Sequence, residues 1–361
     1  MTTQHRTTPS FDRGELSRRI RRVTERTNRD RRVPGVVLGV ATDDGDLAVL
    51  DSAGEASPGD RYIIASVSKL FTTAIVRQLV DERRLRLDDR VVDVVPGLDL
   101  HGLHRHGGVD RTAELRVRHL LDQTSGLADY FDGGVQAELR AGGDRAYSIT
   151  DVVGIARSNG AEFPPGDRMG RRAAYSDTNF LLLTAIIEAV TGRSFPTAVA
   201  ERITGPLGLT DTTVFTGTDL DGVLAVHEGS RALSFPLALA SEQGAGGIIS
   251  TLHDQLRFSR AFHTGELFEP RDQGAFTWNR VFPFVDYGAG TMRYQLPRWM
   301  SGRRAFPELI GHSGVTGSFL FHSAELGLHL AGTVNQGDAP ARPYRLLPRL
   351  VAAVRRAQSR P

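Results

Sequence analysis

Hydrophobic positions change their period several times along the chain, and each change predicts an element. Leu16, Ile20 and Val23 recur at helical spacing inside the arginine-rich stretch from Asp12 to Arg32, which predicts an amphipathic helix whose arginines form a solvated face. The apolar runs Val36 to Ala41 and Leu47 to Leu50 flank the polar Asp43-Asp44-Gly45-Asp46, the pattern of a β-hairpin. Leu70, Phe71, Ala74, Ile75 and Leu79 then make one apolar stripe, so a helix follows Ser66 and carries Lys69 one turn on, on the same face. A second clear helix starts near Asp177, carries Phe180, Leu183, Ile187 and Val190, and stops at Gly192. After Glu308 the period falls toward two. Glu308 to His312, Gly317 to His322 and Leu328 to Val334 read as an antiparallel meander, and a last helix carries Leu350, Val351 and Val354.

Two strands near one end and three near the other, with helices at both termini, predict an α+β fold. A single antiparallel sheet of about five strands is covered by the first and last helices, with a mostly helical region inserted between its halves. The boundaries expected from the pattern are a polar tail over 1–9, a sheet region made of 10–90 and 242–361, and an inserted helical region over 91–241. The helix behind Ser66 then begins where the two parts meet.

Composition narrows the classes. At 361 residues and 40% hydrophobic content the chain suits a folded two-part enzyme. Its formal net charge of +2 gives little drive toward polyanions, so neither a nucleic-acid nor a membrane partner is expected. Zero cysteines exclude disulfides, thiolate nucleophiles and cysteine metal clusters. No export-type apolar core follows Met1, and no run of 18 apolar residues occurs, so a cytoplasmic location is expected.

Of 44 basic residues, Lys69 is the only lysine, and it stands three places after Ser66. Arginine meets every ordinary need for a surface cation here. A lysine is needed where a guanidinium fails, as in proton transfer: a guanidinium stays protonated, whereas a buried ammonium can be driven to its neutral form. A serine hydroxyl becomes a useful nucleophile only when a base takes its proton, so Ser66-x-x-Lys69 is a candidate nucleophile and base.

Three segments in order, Ser66-Val67-Ser68-Lys69, Tyr175-Ser176-Asp177 and His312-Ser313-Gly314, resemble the serine β-lactamase and penicillin-binding-protein family. Flanking text around Thr124-Ser125-Gly126-Leu127 and Gly244-Ala245-Gly246-Gly247 is similar to it as well. The resemblance leans toward the branch of class C β-lactamases, D-alanyl-D-alanine carboxypeptidases, D-amino-acid amidases and related esterases. It implies a Ser66 acyl-enzyme, a proton-relaying Tyr175, and an oxyanion hole made by the backbone N–H groups of Ser66 and Val315. It also implies substrate contacts at Asp177, His312, Ser313 and Gly314, a small-molecule substrate, and no metal or organic cofactor.

The chain departs from the family pattern twice. Asp177 stands where the pattern has asparagine. An ionised Asp177 beside Lys69 favours its ammonium and leaves Tyr175 as base; alternatively Asp177 caps the helix it begins. His312 replaces a lysine, which shifts the expected substrates from anionic lactams and peptides to neutral esters or amides, with anionic ones gaining as pH falls from 8 to 6. The expected function is that of a serine hydrolase acting on a small ester or amide. The alternatives are a β-lactamase or D,D-carboxypeptidase, an acyltransferase of the same fold, and a non-catalytic binding module. His101, His104 and His106 fall in six residues but lack a carboxylate at ligand spacing, so they read as a polar loop. Gly311 to Val315 resembles a lipase nucleophile elbow without its final glycine. Tyr294, Arg298 and Trp299 are candidates for the pocket border, and Thr316, Ser318 and Phe319 for substrate contacts.

Overall fold

The computed structural model describes residues 11–132, 134–166, 173–269, 277–301 and 304–358. The polar tail and Gly133 lie outside them. The first helix, α1 (Arg13–Asn28), is capped by the Asp12 side chain and buries Leu16 and Ile20. It leads into the hairpin β1 (Gly35–Thr42) and β2 (Ala48–Gly54), then β3 (Arg61–Ile63) and the helix α2 (Ser68–Asp81). The helical region between includes Ile149–Asn159 and α3 (Asp177–Thr191), which ends on Gly192 in a left-handed conformation that glycine adopts without strain. Next come α4 (Pro236–Gly246), β4 (Ile248–Ser250) and α5 (Leu252–Thr264). The chain closes with β5 (Asn279–Phe282), β6 (Val285–Gly288), β7 (Thr291–Tyr294), β8 (Leu309–Ser313), β9 (Phe319–Ser323), β10 (Leu328–Thr333) and α6 (Arg342–Ala357).

The architecture is α+β. The main sheet is antiparallel, with strand order β5-β6-β7-β8-β9-β10-β1-β2. It has eight strands where about five were expected. The three additional ones, β5 to β7, are four residues each and separated by tight turns, too short for alternation to stand out from the loop text around them. β3 and β4 pair in a second, small sheet. α1 lies on β1 and β2 and packs against α6, and α5 lies against β1, β9 and β10. Every strand residue of β1 and β10 is buried, as expected of central strands covered on both faces. Among the described residues no helix is long and apolar enough to cross a membrane.

The helix α2 is almost wholly enclosed. Its predicted stripe is buried, and Phe71 stacks on Phe258 of α5 with ring centroids 3.8 Å apart. On another side it presses against the glycine-rich end of α4. Thr72 donates to the Gly244 carbonyl at 2.8 Å, and the Ile248 N–H donates to Ser68 Oγ at 3.1 Å. A Cβ on Gly244 would lie 2.5 Å from Thr72 Oγ1, so this close approach requires glycine.

Candidate active site

Ser66 sits in the short 3₁₀ turn Ala65–Val67 that enters α2, directly after Ala65, whose φ of +45° is rare for a residue with a Cβ. Such strain persists only where surroundings over-determine it. Here they do: from the β8–β9 connection, Thr316 Oγ1 donates to the Ile63 carbonyl at 3.1 Å and Ser318 Oγ to the Ile64 carbonyl at 2.6 Å. Gly314 is packed so closely that a Cβ would meet Ala65 Cβ and the Ile64 carbonyl at 2.8 Å. The turn that carries Ser66 and the loop that carries Val315 are thus pinned together, and among the described residues no backbone acceptor takes the Val315 N–H.

Lys69 is completely buried, and three oxygens lie around its Nζ: Asp177 Oδ1 at 2.6 Å, the Ala245 carbonyl at 2.6 Å and Ser66 Oγ at 2.9 Å. The Ala245 carbonyl and Ser66 Oγ accept hydrogen bonds from Nζ, and Asp177 faces it as an ion pair without a hydrogen bond of good geometry. Asp177 is the first residue of α3, but it does not cap that helix. Ser176 occupies the cap position and makes no side-chain cap bond. The Asp177 side chain turns instead to Lys69, so the capping expectation gives way to the ion pair.

Tyr175 brings a buried hydroxyl against the Ser66 side chain, without a hydrogen bond of good geometry, and its ring centre lies 5.1 Å from Lys69 Nζ. Burial and the Asp177 charge both push the phenol well above its ordinary pKa, outweighing its contact with Ser66. The segment is held by Gln123, whose Oε1 accepts from the Ser176 N–H at 3.0 Å and from Asn179 Nδ2 at 2.5 Å. Ser125 Oγ donates to Asn179 Oδ1 at 2.7 Å, and a Cβ on Gly126 would lie 2.0 Å from the Phe163 carbonyl, so this pair builds a turn.

Ser66, Tyr175, Asp177, Ser313, Gly314 and Val315 line one cavity of about 760 Å³, whose other walls include Phe131, Phe235, Leu239, Phe282, Phe284 and Tyr344. His312 is not among its lining residues. Its ring is fully buried, with Nε2 3.2 Å from the Tyr287 hydroxyl and Nδ1 2.8 Å from the Ser313 carbonyl. Burial and Lys69 push its pKa down to about 3. It stays neutral from pH 8 to 6, which removes the expected gain of anionic substrates in that window. Ser313 Oγ pairs with the Tyr344 hydroxyl at 2.7 Å at the cavity wall.

Two carboxylates absent from the sequence reading complete the site. Asp129 and Glu242 line the cavity beside Asp177. Burial, then the Asp177 charge, raise both, Asp129 well above its ordinary value and Glu242 to about 7. Glu242 Oε1 also accepts from the Tyr130 hydroxyl. Asp129 follows Ser125-Gly126 closely, a signal that was available; Glu242 comes from α4 with no spacing to mark it.

Other expectations resolve as geometry. Tyr294 and Thr316 line the cavity, whereas Ser318 and Phe319 are fully buried behind it and Trp299 is 81% exposed away from it. His104 Nε2 and His106 Nδ1 bond the Phe163 and Ala161 carbonyls at 3.0 and 3.2 Å, fixing the histidine loop to backbone. The elbow-like Gly311 to Val315 joins two strands and starts no helix.

A serine–lysine pair at the start of a buried helix, facing the strand connection of an antiparallel sheet and a tyrosine from an inserted helical region, defines the class of fold shared by β-lactamases and penicillin-binding proteins. The chain belongs to the Beta-lactamase family, whose model matches residues 20–354. It is 34% identical over 184 residues to penicillin-binding protein 4 of Amycolatopsis lactamdurans, covering 49% of this chain and 44% of that protein. It is 30% identical over 243 residues to a D-aminopeptidase of Cereibacter sphaeroides (strain ATCC 17029 / ATH 2.4.9), covering 63% of this chain and 42% of that one. The chain thus spans less than half the length of these two curated relatives. Among solved structures, a D-stereospecific amidohydrolase from Streptomyces sp. superposes with a TM-score of 0.73 at 28% identity, over 91% of this chain and 95% of that one.

Proposed function

We propose that the protein is a serine hydrolase that acylates Ser66 with small, largely apolar esters or amides bearing a cationic amine. The observation that carries this reading is the charge balance of the cavity. Asp129 and Glu242 line the cavity beside the Asp177–Lys69 ion pair, between apolar walls, and both are raised because no cation there compensates them. The lining arginines do not redress it: Arg140 is 55% exposed and faces Glu228 at 3.9 Å, and Arg345 is exposed. A carboxylated substrate brings a charge that this site does not compensate, whereas an ammonium lets Asp129 and Glu242 ionise beside it. The D-aminopeptidase and the D-stereospecific amidohydrolase support amide chemistry in the same fold.

In this reading Tyr175 acts as a phenolate, stabilised by the neighbouring Lys69–Asp177 pair, and takes the Ser66 proton as Oγ attacks the carbonyl carbon, becoming a phenol. The backbone N–H groups of Ser66 and Val315 receive the oxyanion, and Tyr175 returns the proton to the leaving alcohol or amine. Water then releases the acyl group. The test compares three p-nitrophenyl esters of one apolar acyl chain carrying a free amine, an acetylated amine or a carboxylate. The free amine is expected to lead by roughly tenfold or more in kcat/KM, a margin of about 1.4 kcal/mol. Preference for the carboxylate would overturn the assignment.

The same charges set the pH dependence. Because Tyr175 must lose its proton and is held high, kcat/KM is expected to rise into alkaline pH. Asp177→Asn removes the largest charge that raises the phenol, second only to burial, so the rise should begin at lower pH. An unmoved profile would remove Tyr175 from the base role.

A further inference from the structure

We propose that Asp43, His322 and His329 form a binding site for a divalent cation of the zinc class, separate from the cavity. His322 and His329 are directly opposed across β9 and β10, which puts both imidazoles on one face of the sheet. Asp43 lies in the β1–β2 turn, and its N–H donates to the Gly327 carbonyl at 3.1 Å, tying that turn to the β9–β10 turn. Its Oδ1 is 3.0 Å from His322 Nε2 and 3.1 Å from His329 Nε2, and the three donor atoms all lie within 4.8 Å of one another. Tetrahedral zinc with bonds of 2.0–2.1 Å sets its ligands about 3.3 Å apart, so the three atoms need only small adjustments around an ion.

His329 supplies the second, independent observation. It is fully buried, its Nδ1 pairs with Ser259 Oγ at 2.8 Å, and its Nε2 is aimed at Asp43 without a hydrogen bond of sound geometry. An imidazole oriented through one nitrogen with the other left to a ligand is the arrangement that metal-binding histidines adopt. His263 of α5 stacks on His322 at 4.5 Å and fixes that ring. The nearby Arg260 guanidinium is occupied at the Asp44 carbonyl, 3.2 Å away. Asp43 is 37% exposed, which provides an entry path and room for a water as fourth ligand. Two imidazole nitrogens and one carboxylate favour Zn²⁺ over Ca²⁺ or Mg²⁺. None of the three residues lines the cavity, so the ion would clamp the β1–β2 turn to the sheet and take no part in acyl transfer.

The test is a calorimetric titration of the EDTA-treated, desalted full chain with Zn²⁺, alongside Asp43→Asn and His322→Gln, with Mg²⁺ as control. One Zn²⁺ per chain is expected, with affinity at least tenfold weaker in each variant. At a hundredfold excess over the wild-type Kd, wild type should melt about 3–4 °C higher than without zinc, and the variants by no more than about 2 °C. Asp43 is partly exposed, so Asp43→Asn keeps the comparison usable if His322→Gln fails to fold. No Zn²⁺ uptake by wild type overturns the proposal, as does equal uptake by wild type and Asp43→Asn, which would place the ion on other histidines.

Discussion

Ser66→Ala is expected to lower kcat/KM by about 10⁴-fold or more while leaving the protein folded. No neighbouring hydroxyl can take over the attack. Ser68 is fully buried and accepts from the Ile248 N–H, Ser125 is bonded to Asn179, and Ser313 is paired with Tyr344. The substitution removes one hydrogen bond, from Lys69 to Ser66 Oγ, at a cost of about 1 kcal/mol. Intact-protein mass spectrometry after exposure to a fluorophosphonate and to an activated amine-bearing ester checks the assignment directly. An adduct on wild type and none on Ser66→Ala is the expected result. An adduct on both proteins would move the nucleophile elsewhere, and a folded wild type inert to both reagents would make the chain a binding module.

That serine was legible because its chemistry is written locally. Ser66, Lys69 and the stripe behind them lie within one helix and its entry turn, where a period of 3.6 translates spacing into a shared face. The β8 to β10 meander was legible for the same reason, as three runs with glycines between. Asp177 was read as a choice between capping α3 and holding Lys69, and only the packing of α3 against α2 decides it. The cavity's charge was not legible. Asp129 comes from the loop after the Ser125-Gly126 turn and Glu242 from α4, and the uncompensated carboxyl pair beside Asp177 exists only once three distant segments converge. His312 shows the opposite failure. Its place in the motif suggested a ligand for anions, but Tyr287 and the Ser313 carbonyl enclose the ring away from the cavity. The pair of histidines opposite Asp43 was equally silent, because cross-strand register is a property of the sheet and of no single segment.

The second large effect concerns Lys69 as a structural charge as well as a catalytic one. Lys69→Met keeps the length of the side chain but leaves Asp177 in a nearly closed site that already holds Asp129 and Glu242. Removing one partner of a largely buried pair costs up to about 3–5 kcal/mol, since Asp177, 14% exposed, then has no counterion and little water. Hydrolysis should fall by about 10³-fold or more, because the proton relay loses its cation. The double variant Lys69→Met/Asp177→Asn should regain most of the lost stability and none of the activity, because a neutral pair of similar shape leaves no orphaned charge. The pH dependence has a definite sign. Glu242 titrates at about 7 in the folded protein, above its value of 4.5 as a free carboxyl, so the native state binds more protons than the unfolded chain between those values and loses stability as pH rises through them. Without Lys69 that slope steepens, so the deficit of Lys69→Met should be larger at pH 8 than at pH 6. Urea unfolding of wild type, both single variants and the double variant at the two pH values reads all of this as a double-mutant cycle. Full additivity, with the double variant losing the sum of what Lys69→Met and Asp177→Asn lose singly, would mean that Lys69 and Asp177 are not energetically coupled, and the view of Asp177 as the holder of the Lys69 ammonium would fall with it.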